Sequence, residues 1–324
     1  MKAVLCKAYG LPDTLVLEDI DALTPAAGEV VISVKACGVN FPDTLIIQGK
    51  YQFKPDMPFS PGGEVAGVVK LVGEGVTNVK VGDAVIAFTG WGGYAEEAKC
   101  AAVNVIPMPP GTPFPLAASF TLAYGTSYHA LKDRAQIKSG ETLLVLGAAG
   151  GVGLAACEIG AAMGARVIAA ASTDDKLAIC KQHGASETIN YTTENLRERI
   201  NALTDKRGVD VVYDPVGGDY SEPALRAMAW KGRYLVVGFA AGDIPKIPLN
   251  LTLLKGSAIM GVFWGAFIKN EPHVSASNMQ ELIAMMAAGK LKPLISAAYP
   301  LSRAADALND VMARRVAGKV VLTT

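Results

Sequence analysis

Apolar positions fall into two regimes along this chain. Up to about Pro115 they come as short Val/Ile-rich runs, Val30–Val34, Val65–Leu71 and Ala84–Phe88, separated by turns such as Gly73-Glu-Gly75 and Val81-Gly-Asp83. Runs of β-branched residues bounded by glycine and aspartate predict strands. Five prolines between Pro107 and Pro115 mark a boundary loop. From roughly Leu116 a helical pattern begins, and strand-length apolar runs then alternate with helices. The runs are Leu143–Leu146, Val167–Ala170, Glu187–Ile189, Val209–Tyr213, Arg233–Val237 and Ala258–Val262. Six strands with intervening helices predict a complete doubly wound parallel sheet of the α/β class. After Phe263 the pattern predicts a helix over about Val274–Ala288 closed by Gly289, a strand at Ile295–Tyr299, a helix at Arg303–Arg314 and a last strand at Lys319–Leu322. That tail is too short for a domain of its own, so it is expected to return to the N-terminal β-rich part. No internal repeat is visible.

One of these βα junctions carries chemistry. The run Thr142–Leu146 breaks into Gly147-Ala-Ala-Gly-Gly-Val-Gly153, a helix follows to about Gly164, and Arg166–Ala170 forms the next strand. Strand, glycine turn, helix, strand is the setting a dinucleotide-binding turn requires. Gly150 and Gly153 stand where the second and third glycines of G-x-G-x-x-G belong, with Ala148 in place of the first. Ala149, Gly150, Gly151, Val152 and Gly153 are therefore expected to bring backbone and a helix N-terminus to a pyrophosphate. At the end of the second strand, NAD-preferring sites carry an acid for the ribose 2′-hydroxyl. This chain has Ala171 and Ser172 there, with Lys176 four residues beyond Ser172. A hydroxyl and an ammonium suit a 2′-phosphate as a charge-assisted pair, which favours NADPH over NADH. Lys176 also reads as a solvated lysine in a helix first turn, and Asp174 as the cap of that helix.

Composition narrows the partners. At 324 residues two domains are expected. The 30 basic and 30 acidic residues balance, so no bulk charge points to nucleic acid or an acidic membrane. The N-terminal segment is strand-like, without the long apolar core of a signal peptide. No apolar run is long enough to span a bilayer. Cys6, Cys37, Cys100, Cys157 and Cys180 are scattered, odd in number and form no CxxC. A reduced, cytoplasmic protein without a disulfide framework is the expectation.

The chain resembles the medium-chain dehydrogenase/reductase superfamily, and within it the zinc-independent quinone oxidoreductases of the zeta-crystallin-like branch. The resemblance is carried by Cys37-Gly-Val-Asn-Phe-Pro-Asp43, Gly62-Gly-Glu-Val-Ala-Gly-Val-Val69, Val81-Gly-Asp83, Tyr124-Gly-Thr-Ser-Tyr-His-Ala-Leu131, Ala148–Gly153 and Gly318-Lys-Val-Val-Leu322. It implies a doubly wound parallel Rossmann sheet over residues 121–263 plus a GroES-like β-rich catalytic domain from 1–120 and 264–324. It also implies a homodimer or homotetramer, with the strand around Ala258–Val262 expected at the dimer edge. Zinc-dependent members carry a Cys ligand where this chain has Asn40, and a His where it has Gly63. Only Cys100 falls in the region of their four-cysteine lobe, and His129, His183 and His273 lie in no ligand-spaced set. No metal is expected. Without a Lewis acid, alcohol oxidation lacks its electrophile, so hydride is expected to go to a quinone or to an alkene conjugated to a carbonyl.

Asn40 and Tyr51 are the catalytic candidates. The Asn40 amide could bond the cofactor ribose or a substrate carbonyl, the latter stabilising developing negative charge; a loop asparagine capping local backbone is the competing reading. The run from Asn40 to Tyr51 also resembles the 2-enoyl thioester reductases, which implies a proton-donating phenol at Tyr51; the alternative is an aromatic that lines the cleft. The resemblance places Thr126 near the nicotinamide, although its hydroxyl would equally serve as a helix cap. It places Tyr191 near the adenosine phosphate. Gly238, Phe239, Phe263 and Trp264 follow the fifth and sixth strands, where a doubly wound sheet binds its ligand; both Phe239 and Trp264 also read as core aromatics. Lys319 is expected either to reach the cofactor or to lie on the surface. The leading expectation is an NADPH:quinone reductase, with a 2-enoyl reductase for acyl thioesters or enones second. An NADPH-binding structural or regulatory protein with little turnover ranks below both.

Overall fold

The computed structural model describes every residue, Met1–Thr324. The chain opens with β1 (Lys2–Leu5), β2 (Val16–Asp19), β3 (Glu29–Val39), α1 (Phe41–Ile46), β4 (Glu64–Val72), β5 (Ala84–Phe88), β6 (Glu97–Ala101), β7 (Val105–Pro107) and α2 (Phe114–Ala117). Next come α3 (Thr121–Tyr128), β8 (Thr142–Leu146), α4 (Gly151–Ala162), β9 (Arg166–Ala171), α5 (Asp174–Gln182), β10 (Glu187–Asn190), α6 (Leu196–Leu203), β11 (Val209–Asp214), α7 (Ser221–Arg226) and β12 (Met228–Val236). The remainder is α8 (Asn250–Lys255), β13 (Ala258–Gly261), α9 (Trp264–Asn270), α10 (Pro272–Ala287), β14 (Ile295–Pro300), α11 (Ala304–Met312) and β15 (Lys319–Thr323). Two compact units result, Met1–Leu122 with Pro293–Thr324, and Ala123–Lys292.

The first unit is a β-rich body whose main sheet runs β14-β15-β3-β4-β5-β7, with β6 paired to β3. β15 adds antiparallel to β3, Val320 opposite Val39, so the C-terminal tail completes the N-terminal sheet. Alternating residues of β3 and β4 bury Val30, Ile32, Val34, Val65 and Val69 in one apolar core with Leu308 and Val320. The second unit is a wholly parallel sheet in the order β10-β9-β8-β11-β12-β13. Its central strands are buried on both faces, as Leu143–Leu146 and Val167–Ala170 show, and such strands read as continuous apolar runs. The sheet reverses direction of build between β8 and β11, and ligands of doubly wound sheets bind beside that point at the strands' carboxyl ends.

One detail differs from the sequence reading. The chain returns to the β-rich unit at Pro293, not at residue 264. α9 and α10 belong to the nucleotide-type unit because they pack on the helix that opens it. Phe267 stacks on His129 with ring centroids 3.8 Å apart. Lys132 Nζ donates to Glu281 Oε2 at 2.7 Å, and Asn278 Nδ2 to Asp133 Oδ2 at 2.7 Å. α1 follows directly on Asn40, and α3 runs on into a turn of π-helix at His129–Arg134. No helix is long and apolar enough to cross a membrane, and all five cysteines are buried and free.

Candidate active site

The glycine turn after β8 is built as a close-approach turn. Gly147 has φ +58, and Gly150 is the N-cap of α4. A Cβ on Gly153 would lie 2.4 Å from the Gly147 carbonyl oxygen and 2.8 Å from Ala148 Cα, so only glycine lets α4 meet the strand here. Ala149, Gly151 and Val152 complete the turn and the first residues of α4, whose initial N–H groups have no partner within the helix. Ser127 Oγ bridges the Val152 carbonyl and Tyr213 Oη, both at 2.9 Å, tying α3 and β11 to this turn.

Residues at the neighbouring strand ends frame the rest. Ser172 follows β9, and Lys176 lies in the first turn of α5. The helix cap is Thr173, whose side chain accepts from Lys176 N at 3.4 Å; Asp174 instead accepts from Asn190 Nδ2 at 2.8 Å. Tyr191 follows β10 and packs on Tyr220, ring centroids 4.4 Å apart. Thr126 is buried inside α3, five residues past its start, so it is not a cap. Gly238 and Phe239 follow β12, and Phe239 closes over Gly217. Phe263 is half exposed, whereas Trp264 is buried with its indole against Gly125. Sequence reasoning assigned nothing to Asp214. The structure makes it the anchor of the loop beyond β11. Its Oδ1 accepts from Val216 N at 2.7 Å and Gly217 N at 2.9 Å, and its Oδ2 from Ser221 Oγ and Tyr234 Oη.

In the β-rich unit Asn40, Glu64 and Lys319 form one buried cluster. Lys319 is 4 % exposed, on neither the surface nor an open cleft wall. Its Nζ donates to Asn40 Oδ1 and, at 2.7 Å, to Glu64 Oε1. Asn40 Nδ2 donates to the same Glu64 oxygen at 3.0 Å. Glu64 Oε2 accepts from Thr121 Oγ1 and Leu122 N, each at 2.9 Å, and so caps the start of α3. Asp43, in the first turn of α1, accepts from Asn40 N at 2.8 Å and Tyr94 Oη at 3.0 Å. Burial pushes the Asp43 carboxyl up to about 6, against the hydrogen bonds from Asn40 and Tyr94 that favour its anion. Burial also raises the Cys37 thiol far above its ordinary value, with the Asp43 and Glu64 charges adding to it. Tyr51 is half-buried, edge-on to Phe53 at 5.7 Å; burial and then the Asp43 charge hold its phenol protonated.

These residues do not make a zinc site. No three His, Cys, Asp or Glu side chains converge anywhere in the chain, and a lysine ammonium already pairs with Glu64.

Residues 151–287 match the model of the zinc-binding dehydrogenases, and residues 26–110 that of the alcohol dehydrogenase GroES-like domain. This is the two-unit plan of the medium-chain dehydrogenases/reductases. Along its whole length the chain is 39 % identical to the quinone oxidoreductase-like protein 2 homolog of Nematostella vectensis, covering 89 % of that protein. It is 37 % identical to human quinone oxidoreductase, over 99 % of this chain and 97 % of the human one. The Escherichia coli quinone oxidoreductase, solved as its NADPH complex, is 30 % identical with a TM-score of 0.94 and full coverage of both chains. The chain belongs to the quinone oxidoreductase branch of this superfamily.

Proposed function

We propose that the protein is an NADPH-dependent oxidoreductase that works without a metal and delivers hydride to quinones. The observation that carries the reading is the buried Lys319 ammonium, paired with Glu64 beside Asn40 and Gly63, the positions that correspond to zinc ligands in metal-dependent members. An internal cation there leaves no electrophile for an alcohol, so the acceptor must be electron-poor in its own right. When bound, NADPH supplies the hydride; a quinone takes it with one proton and leaves as the hydroquinone.

The chain's own residues do the rest. Ala149, Gly150, Gly151, Val152 and Gly153 present backbone N–H groups to the pyrophosphate. Ser172 and Lys176 take the 2′-phosphate, and Tyr191 packs by the adenosine. Thr126, Gly238, Phe239, Phe263 and Trp264 hold the nicotinamide end, and Asn40 sets its sugar or the substrate. Tyr51 lines the acceptor site. A second reading is proton donation from its phenol to the α-carbon of an enone or enoyl thioester, although burial and the Asp43 charge make that phenol a weaker acid.

β13 is the outer strand of the parallel sheet, with Ile259 exposed on it and Leu253 and Leu254 exposed on the preceding α8. An apolar free edge of this kind invites a second copy, so a homodimer belongs to the same proposal. The five free cysteines accord with a reducing, cytoplasmic setting.

Oxidation of NADPH and NADH with 1,4-benzoquinone, 9,10-phenanthrenequinone, crotonyl-CoA and acryloyl-CoA tests the assignment. Turnover of quinones with NADPH is expected, and Tyr51→Phe should leave it within about threefold. Preference for the thioesters, abolished by Tyr51→Phe, would move the protein to the enoyl reductases. Tight NADPH binding with no oxidation by any acceptor would overturn both.

A further inference from the structure

Two of the five thiols lie against each other. Right-handed crossovers from β8 to β9 and from β9 to β10 put α4 and α5 side by side on one face of the parallel sheet. The two helices meet closely where α5 ends. A Cβ on Gly184, which has φ +98, would lie 2.8 Å from Ala161 Cβ and 3.2 Å from the Cys157 carbonyl oxygen. In the same contact His183 Nδ1 reaches Glu158 Oε1 at 2.5 Å. Cys157 of α4 and Cys180 of α5 are both fully buried, and their side chains share a hydrogen bond. Donation from the Cys157 thiol lowers Cys180 from the ordinary thiol range and raises Cys157 well above it, so Cys180 is the thiolate of the pair. Cys6, Cys37 and Cys100 belong to the β-rich unit and stand apart from it. We propose that Cys157 and Cys180 form a peroxide-responsive pair, whose disulfide clamps α5 onto α4 and weakens the grip of Ser172 and Lys176 on the 2′-phosphate of NADPH. The effect on the 2′-phosphate rests on the NADPH reading above; the disulfide does not.

Hydrogen peroxide is the oxidant that the step needs. The Cys180 thiolate attacks one peroxide oxygen, the O–O bond breaks, and a sulfenic acid forms as hydroxide leaves. The Cys157 sulfur then displaces the sulfenic oxygen from Cys180, which forms the S–S bond. Overall the two thiols give up two electrons and two protons, and the peroxide becomes two waters. Access to the buried sulfurs comes from the weak anchoring of α5. Only Leu177 and Cys180 of this helix are buried. Few apolar contacts hold it, so a local opening admits a small oxidant without unfolding the sheet beneath. Bonding then draws the sulfurs from hydrogen-bond contact to covalent distance. At Gly184 the helices have no slack to take up that movement, so α5 must pivot about its C-terminal end. The first turn of α5 moves most, and it carries Lys176, one helical turn before Cys180.

The test treats the native protein with hydrogen peroxide, alkylates the remaining thiols in denaturant and maps the peptides by mass spectrometry. A species about 2 Da lighter, with Cys157 linked to Cys180 and reversed by dithiothreitol, is expected. Cys6, Cys37 and Cys100 should stay open to alkylation. A link between any other pair, a sulfinic acid on Cys157 or Cys180 without a link, or five intact thiols would overturn the proposal. Nucleotide binding is then read by quenching of protein fluorescence without any acceptor. Oxidised wild type should bind NADPH about tenfold more weakly, the equivalent of one charge-assisted hydrogen bond, and NADH less than about twofold more weakly. Cys180→Ala should keep its NADPH affinity through the same peroxide treatment, and Cys157→Ala serves in its place should that variant fail to fold. A disulfide that leaves NADPH affinity unchanged, or that weakens both nucleotides equally, would sink the switch. Untreated wild type that binds no NADPH would refute the cofactor reading instead, because the disulfide is mapped without nucleotide.

Discussion

At Gly153 the chain has no room for a methyl group, and at Gly150 it has. The contrast separates folding from binding at neighbouring glycines. A Cβ at Gly153 meets backbone of the Gly147–Ala148 turn, which cannot step aside. Gly153→Ala should therefore cost about 1–3 kcal/mol of stability, read from urea unfolding, because α4 must move off the strand. At Gly150, φ is −73 and the nearest foreign atom is the Gly147 oxygen at 3.4 Å. Gly150→Ala should change stability by less than about 1 kcal/mol yet weaken NADPH measurably, since the added methyl stands on the surface a pyrophosphate would approach. Equal loss of stability in both variants would contradict this division. The importance of both glycines is legible in the sequence, because a turn motif is local. The opposite role of each is not, because it depends on which atoms of the turn lie opposite.

Among elements, the six-residue helix α1 shows how a candidate site asparagine and a titrating group come to share one turn. Asn40 is the residue before the helix, and Asp43 closes the capping box by accepting its N–H. The same carboxylate takes the Tyr94 hydroxyl. An acid lifted from 3.8 to about 6 by burial binds more protons folded than unfolded across that window. Its contribution to stability is therefore greatest below about pH 4 and declines as the pH rises through 6. Resonances of the Asp43 carboxyl should titrate near 6. Relative to an Asp43→Asn variant, wild type should lose stability from pH 4 to 6; a difference that rises or stays flat would exclude the raised value. The helix after Asn40 was not legible in the sequence, since six residues opening Phe-Pro-Asp carry too little periodicity to declare one. In α4, Glu158 plays a comparable joining role. It accepts from Tyr124 Oη at 2.7 Å, Lys292 N at 3.0 Å and His183 Nδ1 at 2.5 Å, and so gathers residues far apart in the chain.

For the molecule as a whole, the open question is the free edge of the parallel sheet. If β13 pairs with its counterpart in a second copy, sedimentation should report a dimer at micromolar concentration. Ile259→Lys, a charge on an exposed edge residue, should then give a folded monomer with an unchanged melting profile at high dilution. A wild-type monomer would remove the dimer from the proposal. The architecture itself was largely open to reading. Strands buried on both faces announce themselves as runs such as Leu143-Leu-Val-Leu146, and the glycine turn fixes which of them starts the nucleotide half. The ordering 3-2-1-4-5-6 is visible only in the folded sheet, because right-handed crossovers restrict the possible orders without choosing one. The return point at Pro293 was not open to reading, because it depends on α9 and α10 stacking on His129, Lys132 and Asp133.

The sequence by itself determined the elements, the glycine turn, the absence of an acid after β9 and the replacement of Cys and His ligands by Asn40 and Gly63. Each is a property of neighbouring residues. Tertiary structure alone decided what Lys319 does. Its ammonium meets Asn40 across 279 positions of sequence. A lysine on a closing strand looks like a surface residue until the sheet that buries it has formed. Burial removes water as a partner, and the side chain must then take the one carboxylate and the one amide that β3, β4 and β15 bring within reach.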